Sequence, residues 1–168
     1  MDASEFWAVL ESGGTEALDA PDVQLEAIRR RLEELQPEEL LDFHRLFNQR
    51  MDDAYSWDLW GAAYLINGGC SDDGFAYFRS WLISRGRATY EAALRAPDSL
   101  ADLVDADRDD YEFEDLWGLA LDVYRERTGD EPPAIEDGAR VEPAGDRWDF
   151  DDEEQASQRL PRLAKLYS

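Results

Sequence analysis

A chain of 168 residues, 43% of them hydrophobic and 12% aromatic, carries enough apolar surface to offset the entropy of ordering. One hydrophobic core is expected and global disorder is excluded. Aspartate and glutamate number 40 against 17 lysines and arginines, a net charge of −23, which argues against direct binding to nucleic acid or an anionic membrane and favours a basic protein as partner. The acidic opening Met1-Asp2-Ala3-Ser4-Glu5 is unlike a secretory signal, and no apolar run is long enough to cross a bilayer. Cys70 is the only cysteine, which forbids an intrachain disulfide and a zinc site built on paired cysteines. A cytoplasmic location is expected, and no cofactor or metal.

Asp2 with Glu5 predicts a capped first helix bearing Phe6, Val9 and Leu10, stopped at Gly13-Gly14. Pro21 opens a second helix striped by Leu25, Ile28, Leu32 and Leu35. Pro37 with Glu38-Glu39 opens a third that carries Leu40, Phe43, Phe47 and Met51 to about residue 54. Their tight join predicts an antiparallel hairpin. The fourth helix places Trp57, Trp60 and Tyr64 on one side, is expected to be largely buried, and ends at Asn67-Gly68-Gly69.

The fifth starts at Ser71 or Asp72 and runs to Gly86 with Phe75, Phe78 and Leu82 on one face, widened by Tyr77 and Trp81. Residues 87–96 form a sixth, Pro97 interrupts it, and Asp98 caps one further turn. After an acidic linker, Leu116, Ala120, Val123 and Tyr124 predict a long helix from Tyr111 to Gly129. Residues 130–147 read as a loop, followed by short helices at 153–159 and 162–167 split by Pro161. The fold class is therefore all-α, a single domain of about six to eight helices without a sheet. Its helical core spans 1–129, and an acidic loop with short helices, 130–168, packs on the same domain.

The string from Trp57-Asp58-Leu59-Trp60-Gly61 through Asn67-Gly68-Gly69-Cys70-Ser71-Asp72-Asp73-Gly74-Phe75 to Arg85-Gly86 resembles the signature of bacterial domain-of-unknown-function family forty-two-forty. Phe6-Trp7, Pro97-Asp98-Ser99-Leu100 and Leu160-Pro161-Arg162-Leu163 extend the resemblance over essentially the whole chain. It implies a helical bacterial domain, in some chains joined to a tryptophan-glycine-arginine domain. No activity is established for the family, so no catalytic residue carries over.

The candidate site is the turn Asn67 to Phe75 with Cys70, Ser71, Asp72 and Asp73, because a Gly-Gly break before a helix start presents free backbone N–H groups. The ordinary alternative is a helix C-cap followed by an N-cap. A nucleophilic Cys70 would need His44, the only histidine, as base, and two neighbouring aspartates oppose its thiolate. Asp72 and Asp73 suit a hard cation but lack calcium-loop spacing. Arg79 and Arg85 are too far round the helix to form one clamp, and Arg79 is expected to meet Asp72 or Asp73. Trp57, Trp60, Trp81 and Trp117 are most simply core.

A non-enzymatic protein-interaction or regulatory module is the expected function. The alternatives are a DNA mimic occupying a DNA-binding partner, and an enzyme or small-ligand domain centred on the turn. Residues 61–97 hold three acids and four arginines, a balance of +1 that leaves −24 on the rest of the chain. That surface repels itself. The melting temperature is expected to rise between low and moderate NaCl, and a flat or falling midpoint would show that the acids are compensated internally.

Overall fold

The computed structural model describes residues 1–135 and 138–168; residues 136 and 137, inside the stretch read as a loop, lie outside it. The start signals of the sequence act as physical caps. In α1 (Ala3–Leu10) Asp2 accepts from the N–H groups of Ser4 and Glu5, and Glu5 accepts from the Asp2 N–H in return. Pro21 and Pro37 stand in the first turns of α2 (Pro21–Glu33) and α3 (Pro37–Asp53), where a missing N–H is harmless. Ser56 caps α4 (Trp57–Ile66), and Gly68 and Gly69, at φ +65° and +123°, then turn the chain through backbone that side chains rarely adopt. Ser71, rather than Asp72, caps α5 (Asp72–Ser84) by accepting from the Gly74 N–H at 3.1 Å.

Later helices draw caps from distant parts of the chain. At the start of α6 (Arg87–Arg95) the Arg87 N–H donates to Glu11, just beyond α1, at 2.9 Å. Asp98, in the 3-10 turn Pro97–Asp102, accepts from the N–H groups of Arg162 and Leu163 at 3.0 and 2.9 Å.

The core is built around α3. Its Phe43 and Phe47 pack on Phe6 of α1, with ring centroids 4.9 and 6.4 Å apart, and α3 also lies against α5 and α8 (Leu119–Thr128). The tail joins the same core: Trp148, Ala156, Leu160 and Leu163 are buried in it, and α10 (Pro161–Leu166) packs on α4 and α9 (Glu153–Arg159). The fold is all-α. Among the described residues no strand forms, the one β-type pairing being an isolated bridge between Ser56 and Ala144. No helix among the described residues is long and apolar enough to cross a membrane.

Two expectations need correction. The long helix from Tyr111 is instead a non-helical strap, then the single turn α7 (Glu114–Trp117), then α8 after Gly118. In the strap, Tyr111 and Phe113 are buried while Asp110, Glu112 and, opening α7, Glu114 are exposed. The Glu112 N–H closes a tight turn onto the Asp110 carbonyl at 2.9 Å, and a helix would turn those two rings apart. Phe113 donates its N–H to the Tyr77 carbonyl and accepts from Ser80 Oγ, which fixes the strap to α5.

The second correction concerns α4, whose aromatic face is only half-buried; the fully buried positions are Leu59, Gly61, Ala62, Ala63 and Ile66. Small residues let a neighbour approach closely, and Trp148 does so. A Cβ on Gly61 would lie 2.0 Å from the Trp148 ring. Gly61→Ala is expected to destabilise the protein by about 1–3 kcal/mol through overpacking. Urea unfolding measures this, and an unchanged midpoint would show that the tail does not key onto α4.

Candidate functional site

The turn after α4 is a structural hub. Asn67 accepts from the Tyr111 N–H at 3.2 Å and donates to its carbonyl at 3.4 Å, clamping the strap. The Cys70 carbonyl accepts from Trp60 Nε1 at 3.0 Å. Ser71 is committed to the cap of α5, and Asp72 and Asp73 project into solvent in its first turn, the favourable end of the helix dipole. Burial, then the nearby Glu112, pushes the Cys70 thiol up to about 12, so at neutral pH it is protonated and a poor nucleophile.

Arg79 and Arg85 diverge, and neither pairs with a carboxylate among the described residues. Arg79 lies between the rings of Tyr55 and Phe75, 4.6 and 4.8 Å from their centroids, and donates to the Met51 carbonyl at 2.7 Å. That carbonyl belongs to the last turn of α3, so Arg79 meets a helix C-terminus instead of Asp72 or Asp73. Arg85 donates to the Leu18 carbonyl, to Gln24 at 2.8 Å and to Ser84 Oγ at 3.0 Å. Burial pushes its guanidinium down to about 10, which leaves it charged at neutral pH.

His44 contacts Asn48, whose Oδ1 accepts from Trp117 Nε1 at 2.9 Å, and these three share a concavity of about 380 Å³ with Arg79. Cys70 is not among the residues lining it. Of the four tryptophans read as core, Trp81 is buried, Trp57 and Trp60 are half-buried and Trp117 is 38% exposed. Among the described residues no group of three or more histidine, cysteine, aspartate or glutamate side chains is placed to hold a metal ion.

Sequence reasoning passed over two concave surfaces. The strap walls one of about 430 Å³, where Asp19, Asp105, Asp110 and Glu112 face Trp81 and Arg85. The residues Asp110 to Glu114 carried its signal, an acid-aromatic alternation inside what looked like the approach to a helix. The other lies between α4 and the tail, where Trp148 and Phe150 alternate with Asp149 and Asp151.

With a thiol at about 12, Cys70 is expected to alkylate at neutral pH at least about tenfold more slowly than a free thiol. The folded value lies above the ordinary 9.0, so the protonated thiol stabilises the fold below that pH, and the contribution is lost as pH rises toward 12. Cys70→Ser should flatten the alkaline loss of stability. Iodoacetamide kinetics matching those of a free thiol would contradict the assignment.

A family model described as Protein of unknown function (DUF4240) matches residues 1–126. The matched stretch holds the turn, both arginines and the strap; the tail that covers α4 follows it. No curated protein and no solved structure matches the chain.

Proposed function

The chain belongs to the DUF4240 family of unknown function, and from that membership, which assigns no chemistry, we propose a non-enzymatic interaction module that docks a basic segment of a partner protein. The carrying observation is the strap and the start of α7, where Asp110, Glu112 and Glu114 are exposed on alternate residues, Asp110 beside Arg108 at 3.0 Å, while Tyr111 and Phe113 are locked in the core. The backbone that carries them is bonded to α5 and to Asn67, so little chain ordering is left for binding, and charge complementarity supplies both association rate and specificity. The enzyme alternative is weakened by the protonated Cys70 thiol and by the turn's commitment to caps and clamps.

An arginine-rich peptide is expected to bind with an affinity that falls steeply with NaCl. The triple variant Asp110→Asn, Glu112→Gln, Glu114→Gln should bind it about three- to thirtyfold more weakly. Glu16→Gln, Asp22→Asn, Glu38→Gln removes the same charge from exposed positions elsewhere and should weaken binding much less. Equal losses in the two triples would reduce the effect to net charge. Binding that persists near 1 M salt, where the screening length is about 3 Å, would remove the electrostatic module.

A further inference from the structure

We propose that the concavity between α4 and the tail is a binding site for an organic cation of the alkylammonium class. Four rings line it, those of Trp57, Tyr64, Trp148 and Phe150, with the carboxylates of Asp149 and Asp151, the Gln155 amide and the Arg147 guanidinium at its edge, around a volume of about 600 Å³. Aromatic faces carry negative quadrupole density and attract a cation, and the two carboxylates act in the same sense. An anionic ligand would meet both as repulsion. A neutral ligand can donate hydrogen bonds to the carboxylates but would gain no charge attraction from them.

The chain shows this preference with one of its own side chains. The Arg147 guanidinium stands 5.2 Å from the Trp57 ring centroid, although Asp146 and Asp149 flank it in sequence, and it makes no ion pair among the described residues. Arg147 is exposed, so an incoming cation can replace it. Such a contact at an exposed site is weak, so displacing it costs little.

The rings are held in place before any ligand arrives. Trp57 stacks on Trp60 with centroids 5.5 Å apart and planes within 5° of parallel. Trp148 is wedged over Gly61, and Phe150 meets its edge at 4.9 Å. Tyr64 donates its hydroxyl to Asp151 at 2.7 Å, which orients ring and carboxylate together. Little ordering cost is left for binding. None of these residues belongs to the strap at 110–114, so this site and the docking role stand or fall separately.

The same chemistry reaches the site as a free small cation or as a methylated lysine side chain. Tryptophan fluorescence titration tests it with choline, with dimethylbutanol as its uncharged isostere, and with a short peptide bearing trimethyl-lysine. Choline should saturate with a Kd on the order of millimolar, and dimethylbutanol should not. Arg147→Ala vacates the Trp57 face and should tighten choline binding about two- to fivefold. Trp57→Leu should abolish it, and Asp149→Asn with Asp151→Asn should weaken it in a protein whose rings are intact. A peptide that binds more tightly than choline identifies a protein-borne cation, and equal affinity identifies a free one. The proposal is overturned if choline fails to saturate in both the parent protein and Arg147→Ala, if dimethylbutanol binds as well as choline, or if Trp57→Leu still binds.

Discussion

Carboxylates crowd this chain, and each must find water while the backbone beneath it is drawn into a core. Where helices carry the acids, their outer faces meet the need. Between helices the chain uses another device, an aromatic residue buried on one side of each exposed carboxylate. Tyr111 and Phe113 do this beside α5, and Trp148 with Phe150 does it beside α4. Apolar burial on the order of 1.5–3 kcal/mol for a large side chain outweighs the repulsion between neighbouring surface charges, which water and salt screen. The acidic surface thus depends on the rings packed beside it.

The most buried arginines do not neutralise this surface. Arg79 and Arg85 give their hydrogen bonds to carbonyls and neutral side chains, and Tyr90 adds a hydroxyl to the Arg50 carbonyl in the last turn of α3. Carbonyls at helix ends carry partial negative charge without the desolvation cost of a full carboxylate. Arg79 and Arg85, two of the four arginines in residues 61–97, therefore serve carbonyls and neutral side chains, and the acids outside that stretch keep their excess.

Most helix limits were legible because they rest on local chemistry. Asp2, Ser56 and Ser71 supply caps, Pro21 and Pro37 supply first turns, and Gly68-Gly69 supplies positive φ. The strap was misread because Leu116, Ala120 and Val123 do have helical spacing. Only the bonds of Tyr111 to Asn67 and of Phe113 to Tyr77 show where the helix gives way. The aromatic face of α4 was visible, but its cover was not, since Trp148 comes 87 residues after Gly61 and a glycine in a helix announces no partner. Arg79 was assigned to nearby aspartates because sequence distance is all a reader has; the α3 carbonyl it meets is 28 positions away.

The borrowed caps tie the chain together in time as well as in space. The first N–H of α6 bonds to Glu11 across 76 positions, and Gly86 leaves no room for a Cβ beside that carboxylate. The start of α10 likewise waits on Asp98, 64 positions earlier. Neither helix completes its hydrogen bonding until a remote segment has docked, so both belong to the late, non-local stage of assembly, where loop-closure entropy is already spent. The same linkage runs backwards. Fraying at either remote segment strips a cap, which makes the ends of the molecule part of one cooperative unit with its middle.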